Sequence, residues 1–319
     1  MEKKYLLLVG CGNLGSRHLQ GIVKISTPLD ISVVEPNQNA IQIAKERLNK
    51  ISHNDHTITW FNDVDDVKQN SDLTIISTNS SGRSALIRQL LKKEHSRFLI
   101  EKIVCQSNKE YTSLIDEMKI HNAKGWVDTS RRYFSFYKTI KEHFSKINSI
   151  HLSVKCGNIG LGTNAIHFLD LFLWFANTTD IILTSDLNDK ILSNKRGKNF
   201  VEFAGTIKGK TNSGSTITIS SSLENDLPIV VDIMANDKKI TIDETNQNII
   251  ECKNLPEILF KWEYQSDLTT KIVNDLLAND KCSLPLLSDS FTLHTELFRI
   301  FNNHIYKILD KEPLLCPIT

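Results

Sequence analysis

The chain has 319 residues, 40% apolar and 24% charged, an ordinary soluble-globular composition with length for two domains and their cores. Lys and Arg total 38 against 37 Asp and Glu, so a formal charge of +1 argues against a nucleic-acid or anionic-membrane partner, and no apolar run is long enough to span a bilayer. The six cysteines (11, 105, 156, 252, 282 and 316) are scattered, with no CxxC pair and no histidine at zinc spacing. They are expected to be reduced thiols of a cytoplasmic protein, and no metal is expected.

The start, "MEKKYLLLVGCG", has the lysines and apolar run of a signal peptide, but the run passes straight into a glycine loop with no cleavage-type region. It is read as a buried strand. From there strand and helix signals alternate. "KYLLLVG", "LDISVVEP", "TITWFN", "LTIISTN", "RFLIEKIV" and "GWVDTSRRY" predict strands or crossing segments. "LGSRHLQGIVKI", "NQNAIQIAKERLNKI", "SALIRQLLKKE" and "SNKEYTSLIDEMKIHN" predict helices, the last capped by Ser107 with Glu110 three residues on. Short apolar strands alternating with amphipathic helices predict a doubly wound parallel sheet.

After about residue 125 the texture changes. An oily helix in "GLGTNAIHFLDLFLW" precedes "DIILTSDL", "FVEFAGTIKG", "STITISSSL", "PIVVDIMAN" and "KKITIDE", which with the turns "KTNSGS" and "NDKK" predict an open, mostly antiparallel sheet. One face of that sheet is expected to be covered by helices and the other to be broad and partly apolar, the kind of surface buried in a homo-oligomer. Two amphipathic helices, near 266–279 and 287–310, close the chain. The fold class is α/β, with one domain over residues 1–124 and a second over 125–319.

Six stretches carry chemistry. "GCGNLG" (Gly10, Gly12, Asn13, Leu14, Gly15) follows the first strand and opens a helix, the setting of a dinucleotide fingerprint: a tight turn, close backbone approach to a pyrophosphate, and a helix N-terminus facing its charge. Twenty residues past Gly15, Glu35 ends the second strand, where a carboxylate accepts from ribose hydroxyls and repels a 2′-phosphate. Residues 36–39 supply no cation, so NAD is favoured over NADP. A nucleotide-free glycine turn and a methyltransferase loop are the alternatives, although the latter spaces its glycines GxGxG. "STNSSGR" (77–83) ends the fourth strand with small polar groups such as Thr78 and Asn79, suited to a ribose or nicotinamide edge or simply to capping the next helix. "EKIV" ends the fifth strand and aims Glu101 and Lys102 at the ligand crevice, unless Lys102 is a solvated surface lysine. "SRRY" places Arg132 where it can bind an anion or form a structural salt bridge. On the oily helix, Thr163, His167, Asp170 and Trp174 share one side at 100° per residue, either as a reaction centre or as satisfied polar groups in a core.

Taken together in this order, "GCGNLGSRHLQGI", "VVEPN", "STNSSGR", "EKIVC", "SRRYF" and "GLGTNAIHFLDLFLW" resemble the glucose–fructose oxidoreductase / inositol dehydrogenase (Gfo/Idh/MocA) family over nearly the whole chain. The resemblance implies an N-terminal Rossmann domain, a C-terminal α/β domain for substrate and oligomer contacts, and hydride transfer between NAD(P) and a carbon of a sugar, cyclitol or related polyol. Under it, Lys102 falls on the catalytic lysine of a Glu-Lys-Pro motif, with Ile103 replacing the proline. His167 falls on the catalytic histidine of an Asp-x-x-x-His element, whose aspartate is Thr163 here. Asp170 matches the acid three residues after that histidine, and Arg132 the second arginine of an Arg-Arg-Phe segment. Arg83 and Asn79 replace the histidine and proline of the fourth-strand loop.

The expected function is an NAD-dependent oxidoreductase with His167 as base and Lys102 holding the developing alkoxide. Arg132, Thr163, Asp170 and Arg83 are expected at the substrate, and the two arginines hint at an anionic or nucleotide-linked sugar. The expected partners are that small molecule and copies of the chain itself, as a dimer or tetramer. The alternative is a catalytically silent dinucleotide-binding sensor or scaffold, motivated by the missing acid at Thr163.

Overall fold

The computed structural model describes residues 3–51, 55–67, 69–144 and 149–319; Met1 and Glu2 of the signal-like start lie outside the described residues. In chain order the elements are β1 (Lys4–Val9), α1 (Gly15–Ile22), β2 (Leu29–Val34), α2 (Gln38–Leu48), β3 (Thr57–Phe61), β4 (Leu73–Ile76), α3 (Arg83–Lys92), β5 (Arg97–Glu101), α4 (Asn108–Ile120), β6 (Lys124–Asp128), α5 (Ser135–Phe144) and β7 (His151–Cys156). There follow α6 (Leu161–Ala176), β8 (Ile182–Leu187), β9 (Leu192–Ser193), β10 (Val201–Glu202), β11 (Gly205–Lys210), β12 (Thr216–Ser221), β13 (Val230–Ala235), β14 (Lys238–Asp243), β15 (Asn248–Lys253), α7 (Gln265–Asn279) and α8 (Phe291–Leu309). Among the described residues no helix is long and apolar enough to cross a membrane, and none of the six cysteines forms a disulfide.

Two compact units result. The first collects Met1–Cys105, Glu110–Tyr133 and Glu263–Ser288 around a sheet of order β3-β2-β1-β4-β5-β6 with every pairing parallel. Its central strands are continuous apolar runs: Leu6, Leu7, Leu8, Leu73, Ile75, Ile76, Phe98, Leu99 and Ile100 are all fully buried, as a sheet covered on both faces requires. The strand order reverses between β1 and β4, which opens a crevice at the carboxyl ends of those strands.

This unit differs from a single cut at 124/125. Strand β6 is the sixth parallel strand of the sheet, and α7 packs on α1 although more than 240 residues separate them. Gly21 makes that approach possible: a Cβ there would sit 2.3 Å from the Ser266 carbonyl oxygen, and Thr270 donates to the Gly21 carbonyl at 2.7 Å. The helix predicted near 266–279 is present, but it belongs with the parallel sheet.

The second unit comprises Gln106–Lys109, Phe134–Trp262 and Asp289–Thr319, built on a seven-stranded sheet of order β15-β14-β13-β7-β12-β11-β8. All its pairings are antiparallel except β12 with β7. Strands β7 and β15 lie outside the predicted set, and "FVEFAGTIKG" divides into β10 and β11 instead of forming one strand. The break falls where Gly205 takes φ +122° and where β10 leaves the large sheet to pair with β9. Helices α6 and α8 pack on one face, over β12 and β8. The other face carries a polar row in register, Thr184, Lys208, Thr218, Ser153, Asp232 and Thr241, with Ile182, Val230 and Met234 as its apolar members. It is more polar than the sequence pattern suggests.

Candidate functional site

The crevice of the first unit is a cleft of about 520 Å³ lined by Gly10, Gly12, Glu35, Ser77, Thr78 and Asn79 among others. Of the residues predicted to hold a dinucleotide it brings together Gly10, Gly12, Glu35, Thr78 and Asn79, while Asn13, Leu14, Gly15, Glu101 and Lys102 are not in its lining. Each glycine of the loop has a distinct reason. Gly10 stands at φ +85°, and a Cβ there would press on the Ser77–Thr78 backbone at 3.0 Å. A Cβ on Gly15 would meet the Gly10 carbonyl oxygen at 2.0 Å, so the helix could not start there. Gly12 would meet nothing within 4 Å: its face of the loop is open to a ligand. Asn13 is exposed and Leu14 is the residue before α1. The side-chain oxygens of Ser77 and Thr78 are buried without a hydrogen-bond partner among the described residues. An open glycine loop at a helix start beside two unpartnered hydroxyls fits the phosphate and ribose groups of a dinucleotide.

Glu35 closes the cleft at the end of β2. Its Oε2 accepts from the Cys11 N–H at 2.7 Å and its Oε1 from the Asn37 N–H at 3.0 Å, so the carboxylate ties the glycine loop to the turn after β2. Arg47, which sequence reasoning missed, reaches over from α2. Its guanidinium donates to the Asn13 carbonyl at 2.9 Å, to Asn13 Oδ1 at 2.8 Å and to Ser16 Oγ. A search for cations confined to residues 36–39 could not find it.

Lys102 follows the last residue of β5 and is only 3% exposed, so the solvated-lysine reading does not hold. Arg83 clamps the turn around it. The sequence suggested a substrate contact for Arg83, but this side chain is 1% exposed, and its guanidinium donates to the carbonyls of Glu101 and Ile103, on either side of Lys102, and to that of Thr78. Buried backbone acceptors explain the correction: a guanidinium with its planar fork satisfies several carbonyls at once. Arg132 is half-buried and donates to the Ser283 carbonyl at 3.3 Å.

Behind Lys102 lies a buried cluster that the sequence did not announce. His18 Nε2 is 2.8 Å from Glu101 Oε1 and 3.9 Å from Asp128 Oδ2, while its Nδ1 is 2.9 Å from Thr269 Oγ1 on α7. Gln265, also on α7, donates to Asp128 Oδ2 at 3.2 Å, and Asp128 Oδ1 has no hydrogen-bond partner among the described residues. Burial opposes a charge on His18, yet the hydrogen bond and charge of Glu101 outweigh it and raise the imidazole above its usual value. Burial likewise pushes Glu101 up, but His18, Lys102 and Arg83 together hold it below the usual carboxylate range. Asp128 goes the other way, raised to about 7 by burial first and the Glu101 charge second. The available signal was His18, a polar residue three past Gly15 on the buried side of α1.

In the second unit, α6 carries Thr163, His167, Asp170 and Trp174 as the helical projection requires. Thr163, His167 and Trp174 are partly exposed, and Asp170 is buried. The acid absent from position 163 has a counterpart in space. Glu202, from β10, accepts from the Thr163 N–H at 3.2 Å, from the Thr163 hydroxyl, and from Asn194 Nδ2 at 2.8 Å. No local signal connects residues 39 apart on different elements.

No protein-family model matches the chain, and the search of curated proteins finds no relative. Solved structures do match. UDP-N-acetylglucosamine 3-dehydrogenase GnnA from Acidithiobacillus ferrooxidans is 15% identical with a TM-score of 0.72, covering 94% of this chain and 97% of that one. The WlbA dehydrogenase from Bordetella pertussis, solved with NADH and UDP-GlcNAcA, is 13% identical with a TM-score of 0.70, covering 94% and 95%. Apo scyllo-inositol dehydrogenase from Lactobacillus casei is 17% identical with a TM-score of 0.67, covering 95% and 97%. These neighbours are oxidoreductases of the Gfo/Idh/MocA type, and at such identities the likeness is one of fold. It is the fold the sequence resemblance implied: a Rossmann unit with an α/β unit built on an open sheet.

Proposed function

We propose that this chain is a nicotinamide-dependent oxidoreductase that transfers a hydride between the cofactor and a carbinol carbon of a sugar or sugar derivative. The observation that carries this reading is the cleft at the reversal point of the parallel sheet, where an open Gly12, the Glu35 carboxylate and the unpartnered Ser77 and Thr78 hydroxyls line one cavity. The nicotinamide, when bound, supplies the hydride acceptor or donor. His167 takes the proton of the reacting hydroxyl, and Lys102 holds the oxygen's developing charge. Thr163 and Asp170 orient substrate hydroxyls from the same helix as His167.

NAD is the preferred cofactor in this reading: what supports it is the Glu35 carboxylate in the cleft, able to accept from a ribose hydroxyl and to repel a 2′-phosphate, and Arg47 already engaged with Asn13 and Ser16. A nucleotide-linked sugar is the finer substrate reading. Its support is the names of two structural neighbours and Arg132; Arg83 no longer contributes to it. We also propose that the protein is cytoplasmic and forms a homo-oligomer, dimer or tetramer, through the open face of the seven-stranded sheet.

The test is a titration with NADH and NADPH followed by a turnover screen over polyols and nucleotide sugars. His167→Ala and Lys102→Ala are expected to lower turnover by about 10²-fold or more with NAD affinity nearly unchanged. Tight NAD binding with no turnover on any member of the panel favours the silent sensor instead, and no binding of either cofactor overturns the reading.

A further inference from the structure

We propose that Glu202 is the acidic positioning residue of the His167 helix, delivered from β10 and not from α6 itself. It locks the first turn of α6 and sets a negative charge one helical turn before the imidazole. The inference uses the proposed hydride transfer only for the role of His167.

The first turn of α6 is shaped around this carboxylate. The helix starts at Gly160, which has no side chain to cap it and stands at φ +73°. A Cβ on Gly160 would lie 2.6 Å from Glu202 Cδ, and one on Gly162 would lie 3.0 Å from Glu202 Oε2, so two glycines make room for the acid. Glu202 is 8% exposed and receives the Thr163 N–H and hydroxyl together with the Asn194 amide, which also reaches Thr163 Oγ1 at 3.2 Å. Its strand is held in turn: Leu161 N–H donates to the Phe203 carbonyl at 3.0 Å, and Val201 N–H to the Pro317 carbonyl at 2.8 Å.

Two consequences reach His167. The Thr163 hydroxyl gives its proton to Glu202, so on the face it shares with His167 it offers a lone pair and not a donor. It can accept from an imidazole N–H or a substrate hydroxyl, and it cannot compete for the lone pair a base must keep. The charge of Glu202 also favours the imidazolium. Within this unit the other charged group on the helix near His167 is Asp170, and β12 carries no titratable side chain. On α8, His294 Nδ1 is taken up by the Ser290 carbonyl and His304 Nε2 by the Asn188 carbonyl, while Glu296 and Arg299 pair with each other. Lys195, Arg196 and Lys198 of the β9–β10 loop are exposed.

The experiment is an NMR titration of the His167 ring in the full chain, assigned with His167→Asn, for the wild type, Glu202→Gln and Thr163→Val. Glu202→Gln is expected to lower the His167 pKa by about 0.5 or more. Thr163→Val, which keeps the charge and removes only the hydroxyl, should leave the His167 titration close to that of the wild type. If Glu202→Gln does not fold, Glu202→Asp and Asn194→Ala carry the test, because displacing the carboxylate should shift His167 in the same direction. A His167 titration that is identical in every folded variant while thermal stability falls would reduce Glu202 to a helix cap and overturn the proposal. Once a substrate is known, the acid limb of kcat/KM should move to lower pH with the titration. A shifted titration in a protein that turns over nothing sinks the hydride-transfer reading and leaves Glu202 standing.

Discussion

Thr163→Asp puts a second carboxylate against Glu202. The native hydroxyl is within hydrogen-bond reach of Oε1, so the introduced acid has its charge about 4 Å or less from the existing one. At an effective dielectric constant of about 20, two like charges at that distance repel by about 4 kcal/mol. Thr163 is half-buried and water screens part of this, so a net loss of about 1–3 kcal/mol of folding stability at pH 7.5 is expected. Lower pH relieves the strain. One carboxyl of the folded pair takes up a proton well above the usual carboxylate range, so near pH 5 the folded state binds more protons than the unfolded state, and stability recovers as pH falls. Urea denaturation at pH 7.5 and pH 5.0, with Thr163→Asn as the uncharged control, measures the effect. Equal losses for the Asp and Asn variants at both pH values would refute it, because repulsion is absent from the control. Restoring an acid at position 163 should therefore impair the protein, since the charge it would supply is already present.

Arg83→Lys keeps the charge but cannot reach three carbonyls; a loss of about 1–3 kcal/mol in urea denaturation is expected, with turnover reduced by about tenfold or more, and a variant indistinguishable from wild type would mean the clamp is dispensable. Asp128, raised to about 7, is protonated when folded and ionised when unfolded between roughly pH 4 and 7, so it contributes a stability that declines as pH rises through that window. Asp128→Asn should flatten the dependence of Tm on pH there, and an unchanged slope would exclude this carboxyl as its source. Sedimentation at micromolar concentration should show a dimer or tetramer, and substitution of Ile182 and Met234 by Asp on the open sheet face should dissociate it; a monomeric wild type contradicts the oligomer proposal.

The parallel sheet was legible because its signals are local. Each strand is a short apolar run, each helix is amphipathic, and Gly10 to Gly15 punctuate a strand-to-helix turn whose geometry admits little else. Strand β7 escaped notice even though Leu152, Val154 and Cys156 alternate inward, because His151, Ser153 and Lys155 between them make "HLSVKC" read as a polar connection. The place of Lys102 after a strand could be read, but not its burial. The direction in which Arg83 points could not, since charge alone does not tell a ligand contact from a buried clamp. The Glu202–Thr163 pair and the return of α7 to α1 are contacts at long sequence separation, and the mid-helix Gly21 was the one residue whose presence hinted at a close neighbour.

The return of α7 also fixes when the parallel-sheet unit can mature. A nascent chain that has just emerged past residue 133 holds all six parallel strands but lacks Thr269 and Gln265, the partners of His18 and Asp128, and lacks the surface that buries Gly21. Synthesis of the following stretch to residue 288, at roughly 5–20 residues per second, leaves that flank of α1 wet for about 10–30 s. Until then Asp128, which the folded interior holds toward its neutral form, faces water, which favours its charge and opposes docking. The first 133 residues therefore complete their packing only after α7 has been made, and a fragment ending near residue 133 should bind dinucleotide poorly even though it contains the whole glycine loop.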